Sequence, residues 1–216
     1  MKRREFSLAA ASALAASTLA VPAAHAQGQK FVAGTDYLVL DKRAIVETPP
    51  GKVEVIEFFW YSCPHCNAFE PALDNWVKRL PKNVNMRRVP VAFNASFVPE
   101  QRLYYTLEAM GKLDELHVKV FYAIHVERQP LDRDAGITAW VQKQGLDTAK
   151  FAELYNSFSV ATKVRRATQL QDAYKVSGVP ALGVAGRFYT DGELAHSMER
   201  ALQITDYLIG ESRKSA

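Results

Sequence analysis

Cys63-Pro64-His65-Cys66 holds both cysteines of the 216-residue chain. Within one molecule neither thiol has another to pair with. A disulfide between them closes so small a loop that it barely restricts the unfolded chain, which makes it a poor structural staple. The pair is therefore read as redox chemistry. Residues three apart on a first helical turn have Cβ atoms about 5–6 Å apart, so a small local adjustment joins the sulfurs. Pro64 opens a helix without penalty, because its missing N–H would be unpaired there. Cys63 then faces the free N–H groups and positive end of that helix, which stabilise a thiolate. His65 adds a hydrogen bond or a positive charge to it, and Cys66, deeper in the helix, is the natural resolving thiol.

Such an arrangement has a direction. A stabilised thiolate favours the reduced form, and a favoured reduced form makes the disulfide a stronger oxidant. Each pH unit by which the Cys63 pKa lies below ambient is worth about 1.4 kcal/mol, or roughly tenfold in the exchange equilibrium. The same depression makes Cys63 a good leaving group. Both effects favour giving a disulfide away over reducing one.

Two acids stand nearby. Glu57 lies in an apolar stretch six residues before Cys63, and Glu70 lies one helical turn after Cys66. A buried carboxylate under the disulfide could take and return the Cys66 proton. For Glu57 that reading stands beside a plain ion pair with a lysine, since an acid is rarely buried without a reason. Glu70 on its own reads as a solvated residue. Val179-Pro180 is a candidate cis bond, although trans is the default for X-Pro. His117, His125 and His196 read as ordinary surface or core histidines, with a zinc site as a remote alternative. Trp60 and Tyr61 fit a peptide-binding surface or simple core packing, and Arg165-Arg166 a solvated helix face.

The elements that position these residues follow from periodicity. Val53 to Phe59 is β-branched, aromatic and almost wholly apolar, as in a central strand covered on both faces. Phe69, Leu73, Trp76, Val77 and Leu80 then recur at helical spacing, with Pro71 as an internal kink and Pro81 as the stop. Met86 to Phe93 reads as a strand, and Pro90 within it requires an edge or a bulge. From Pro99 to Val176 the period is helical. Stripes at Leu103/Leu107/Met110, Leu113/Leu116/Val120/Phe121/Ile124 and Ile137/Trp140/Val141 are punctuated by Gly111 and Gly145. Asp147 is an expected N-cap for the next helix, and a long helix follows from about Val160 to Val176. Tyr37–Leu40 and Val179–Val184 are short strand candidates. Tyr189-Thr190-Asp191-Gly192-Glu193 reads as a turn, and Ser197 to Ile209 as a closing amphipathic helix.

At the N-terminus, Met1-Lys2-Arg3-Arg4 precedes an Ala/Leu-rich run and Ala24-His25-Ala26, the pattern of a cleaved export signal over residues 1–26. The apolar run is too short for a spanning helix. Arg3-Arg4 leaves the export route open between the general and twin-arginine pathways. The net charge of +4 is partly carried by this leader, and what remains is too mild for a nucleic-acid surface. A content of 48% hydrophobic residues is ample for a packed core.

Glu57-Phe58-Phe59-Trp60-Tyr61-Ser62, then Cys63-Pro64-His65-Cys66, then Phe69-Glu70 resembles the thioredoxin superfamily, and within it the DsbA family of periplasmic thiol–disulfide oxidases. Ser177-Gly178-Val179-Pro180-Ala181 is similar to that family's cis-proline loop, and Pro71 to its kink proline. The resemblance implies an α/β thioredoxin fold, a central mixed β-sheet flanked by helices, with an inserted all-helical domain. Residues 27–95 and 165–216 would form the thioredoxin-like part and 96–164 the insertion. It implies that Cys63 is the exposed nucleophile, Cys66 its resolver, and Pro64 and His65 the tuning dipeptide. Val179 and Pro180 would hold substrate backbone, and Glu57 and Glu70 would be acidic tuning positions. It implies no metal and no organic cofactor, reduced exported polypeptides as substrates, a membrane quinone-linked oxidase of the DsbB type for reoxidation, and a monomer in the periplasm. A low thiolate pKa and an oxidising couple are standard properties of that family, so they come with the resemblance. The rival expectations are a thioredoxin-like reductase or isomerase, a redox-inactive peptide-binding chaperone, and a metal-binding module.

Overall fold

The computed structural model describes residues 31–214; the expected leader at 1–26 lies outside the described residues. Five strands, β1 (Leu38–Val39), β2 (Val53–Phe59), β3 (Val84–Pro90), β4 (Ala181–Val184) and β5 (Phe188–Asp191), form one sheet in the order β1-β5-β4-β2-β3. β2 and β3 run parallel, whereas the β2–β4, β4–β5 and β1–β5 pairs are antiparallel, so the sheet is mixed. α1 (Pro64–Val77) makes the crossover from β2 to β3. Between β3 and β4 the chain forms α2 (Val98–Ala109), α3 (Leu113–His125), α4 (Asp134–Lys143), α5 (Thr148–Tyr155) and α6 (Phe158–Ala173), and α7 (Met198–Lys214) closes it. The expected domain boundary at 164/165 falls within α6. Among the described residues no helix is long and apolar enough to cross a membrane.

β2 is buried along its whole length, as its unbroken apolar character requires. Its alternate residues serve two cores. Val53 and Val55 meet Phe69, Leu73 and Trp76 of α1 and Ile204 and Leu208 of α7. Ile56 and Phe58 face the side that holds Leu103, Leu107, Trp140 and Tyr174 of the helical segment. Pro90 ends β3, and β3 is the edge of the sheet, where a missing donor leaves no gap in a ladder. Asp147 caps α5 by accepting the Ala149 and Lys150 N–H groups, each at 3.0 Å.

The stretch expected as a turn at Tyr189–Glu193 is corrected. Tyr189, Thr190 and Asp191 belong to β5, and the turn follows them. Asp191 does both jobs: it ends the strand, and its Oδ1 accepts the Glu193 and Leu194 N–H groups at 3.0 and 2.9 Å. The expected range contains the turn at Gly192 but starts three residues too early. The β4–β5 hairpin turns instead at Ala185 and Gly186, both at positive φ (54° and 69°). Nothing in Gly183-Val184-Ala185 forecasts a non-glycine residue there.

Candidate active site

β2 delivers the chain to Trp60-Tyr61-Ser62, and Cys63 is the N-cap of α1 with Pro64 in its first turn. Cys63 Sγ accepts the Cys66 N–H at 3.4 Å, one of the orphan donors of the helix start. Both cysteines are free thiols. Cys63 is only 6% exposed and Cys66 is fully buried, so the exposed nucleophile expected from the sequence is in fact a nearly covered one. His65 is on the surface.

The two sulfurs are strongly unequal. The Cys63 pKa is lowered to about 6, mainly by the Cys66 thiol donating to it. The N–H groups of Cys66 and His65 and the His65 charge add to this, and burial opposes it. Burial pushes the Cys66 thiol far up, and the adjacent Cys63 and the Glu57 carboxylate push it further. The pair thus holds one proton, on Cys66, over a wide pH range.

Two distant segments meet this turn. Val179-Pro180 is cis, and the Val179 carbonyl oxygen lies 3.4 Å from Cys63 Sγ across 116 positions of sequence, accepting from it only in the thiol form. Beneath the sulfurs, Glu57 is fully buried on β2. The parallel register sets it opposite Arg88 of β3, whose Nε donates to Glu57 Oε2 at 3.1 Å. The partner is an arginine, not the lysine of the plain alternative. Among the described residues Glu57 Oε1 has no hydrogen-bond partner. Burial first, then the charge of Glu70, raise the Glu57 pKa well above the ordinary value, against the pull of Arg88.

Glu70 is corrected from a solvated residue to a buried one, 6% exposed. It accepts from Arg88 Nη2 at 2.9 Å and from His117 Nε2 at 3.3 Å. Burial alone would raise it, but the bonds from His117 and Arg88 outweigh burial and its pKa falls. Burial lowers the pKa of His117 and keeps it neutral. A carboxylate only accepts, so His117 Nε2 carries the hydrogen, and Nδ1 accepts the Tyr61 hydroxyl at 2.8 Å. Tyr61 is therefore core rather than binding surface, while half-buried Trp60 lies 4.1 Å from the Phe97 ring.

Arg88 and Glu100, the latter accepting two hydrogen bonds from Ser62, carry no functional expectation from the sequence, and His117, expected as an ordinary surface or core histidine, is a buried one bonded to Glu70. For Arg88 a signal exists: two acids, Glu54 and Glu57, stand in one apolar strand and two cations, Arg87-Arg88, in the next, and each arginine bonds one of the acids. A cavity of about 730 Å³, lined by Ile45, Arg87, Tyr104, Tyr105, Lys163 and Arg166 among others, contains neither cysteine nor Pro180.

Comparison with known proteins agrees with this geometry. Residues 54–203 match the profile of the DSBA-like thioredoxin domain. The chain is 47% identical over 208 residues to the thiol:disulfide interchange protein DsbA of Bordetella parapertussis, covering 96% of each. It is 38% identical over 191 residues to the DsbA of Pseudomonas aeruginosa, covering 88% of this chain and 90% of that one. The crystal structure of Pseudomonas aeruginosa DsbA superposes with a TM-score of 0.81 at 37% identity, over 86% of this chain and 96% of that one. A buried cysteine pair at a helix start, a cis-proline loop against it and matches over most of the chain lead to one conclusion: the protein belongs to the DsbA family of thiol:disulfide oxidoreductases.

Proposed function

We propose that the protein donates the Cys63–Cys66 disulfide to newly exported polypeptides, in the periplasm and after removal of residues 1–26. The observation that carries this is the inequality of the two thiols: Cys63 titrates at about 6 while Cys66 holds its proton. In the oxidised protein, a substrate thiolate attacks Cys63 Sγ. The Cys63–Cys66 bond breaks, its electron pair goes to Cys66, and the proton held by Glu57 moves to that sulfur. The fully buried Glu57, raised by its surroundings, suits this role. A second substrate thiolate then attacks the substrate sulfur of the mixed disulfide, and Cys63 leaves as a stabilised thiolate. Two electrons have passed from substrate to protein. A membrane quinone-linked oxidase of the DsbB type takes them back.

In this reading Val179 and cis-Pro180 align the substrate backbone beside the pair, His65 and Pro64 tune Cys63, and Glu70 keeps its charge so that Glu57 keeps its proton. Residues 27–95 and 165–216 carry the redox chemistry, with 96–164 as an inserted helical segment. The test is oxidative refolding of a reduced substrate by wild type and Cys63→Ser, with the equilibrium of the pair against glutathione. A variant that retains full activity excludes donation by this pair. A strongly reducing equilibrium points to a reductase or isomerase instead.

A further inference from the structure

The residue just before Cys63 is held from across the molecule. Glu100, in the first turn of α2 and 1% exposed, accepts the Ser62 N–H at Oε2 (3.0 Å) and the Ser62 hydroxyl at Oε1 (2.5 Å). Both carboxylate oxygens are committed to one residue, 38 positions away in sequence. The peptide before it is held as well: His125 of α3 donates from Nε2 to the Tyr61 carbonyl at 2.8 Å. The three-residue link between β2 and the Cys63 N-cap therefore has few free groups with which to move.

Glu100 is an unusual anchor because nothing neutralises it. Among the described residues no lysine, arginine or histidine forms an ion pair with it. The groups acting on it are Ser62 from the turn and Asp132 from the α3–α4 connection, and its charge is also felt by Tyr61. Its chain neighbour Gln101 is turned to the Pro90 carbonyl. Burial raises its pKa to about 7, with Asp132 adding and the two Ser62 bonds opposing. A carboxylate accepts both Ser62 donors. The neutral acid has a hydrogen on one oxygen, which then no longer serves a donor as before.

We propose that Glu100 is a positioning residue for disulfide exchange at Cys63: its charged form clamps Ser62 through both oxygens and fixes the turn that delivers the sulfur, and uptake of one proton releases half of that clamp. The inference rests on Cys63 as the attacking thiol. It adds that the reactivity of Cys63 follows two ionisations, its own and that of a carboxyl group on α2.

The experiment is alkylation of the reduced full-length mature protein by iodoacetamide from pH 4 to 9, with the modified cysteine identified by peptide mass. In wild type the rate follows two ionisations. In Glu100→Gln, which cannot change charge, the second inflection is lost and a single ionisation remains; a merely structural role would lower stability without removing an inflection. Ser62→Ala keeps the backbone bond and loses the hydroxyl that favours the charged form, so its second inflection moves to higher pH. Circular dichroism verifies the fold of each variant, and if Glu100→Gln does not fold, Ser62→Ala decides. A wild-type profile with one ionisation, or variant profiles that superimpose on wild type, overturns the clamp while leaving Cys63 as the nucleophile. Alkylation that falls on Cys66 instead overturns both.

Discussion

Glu57 and Arg88 lie side by side in parallel register on β2 and β3, and the same guanidinium reaches Glu70 on α1. One cation thus serves two buried carboxylates. It does not serve them equally, because Glu70 also receives His117, whereas one Glu57 oxygen is left bare. Glu57 is accordingly the member whose pKa is raised while that of Glu70 falls, and its ionisation is the one that Cys66 feels.

Arg88→Met removes the cation and leaves two buried carboxylates without it. Breaking a buried pair from one side costs about 3–5 kcal/mol. Urea unfolding at pH 7 measures it, and the deficit shrinks as pH falls, since neutral carboxyls need no partner. A deficit below about 1 kcal/mol at pH 7 would show that the ion pairs contribute little.

The reduced form gains stability with rising pH. The folded Cys63 pKa of about 6 lies below the ordinary value of 9. The stabilisation is therefore complete only above pH 9, shrinks as pH falls, and is gone below 6. Three units correspond to about 4 kcal/mol at most. Denaturant melts of the reduced and Cys63→Ser proteins from pH 5 to 9 should diverge over this window, and parallel curves would contradict the depressed pKa.

Cys66→Ser lacks the resolving thiol but keeps Cys63. With a peptide disulfide it should accumulate a mixed disulfide on non-reducing gels, which dithiothreitol removes. Cys63→Ser should form none, because its remaining thiol is buried and protonated. Equal trapping by both variants would reverse the assigned polarity.

Gly183→Ala tests packing away from the cysteines. A Cβ at Gly183 would meet the Tyr174 ring at 2.5 Å, and that ring packs on Phe58 at 5.1 Å. Overpacking of this kind costs about 1–3 kcal/mol. Thermal unfolding should register the loss while the Cys63 titration stays where it is; a wild-type melting temperature would mean that the ring moves aside freely.

β2, α1 and the cysteine pair are legible in the sequence because their signals are local: an apolar run, a proline at a helix start, two thiols three residues apart. The caps are local too, as Asp147 illustrates. What stays hidden is long range. Glu100 binds Ser62 across 38 positions and His117 binds Glu70 across 47, and a lone acid or histidine on a helix carries no mark of its partner. Glu70 reads as solvated for the same reason, since its burial comes from α3 closing over α1. Arg88 is the intermediate case: its charge is plain in an apolar strand, but only the register pairs it with Glu57.

Glu100, His117 and His125 all come from the helices between β3 and β4, and all three fasten the turn before Cys63 or the carboxylates beneath it. The seat of those helices and the poise of the sulfurs are therefore two coordinates of one equilibrium. By reciprocity, any partner that binds one redox state more tightly and seats α2 and α3 differently shifts the redox equilibrium of the pair by the same factor with which oxidation changes its own affinity.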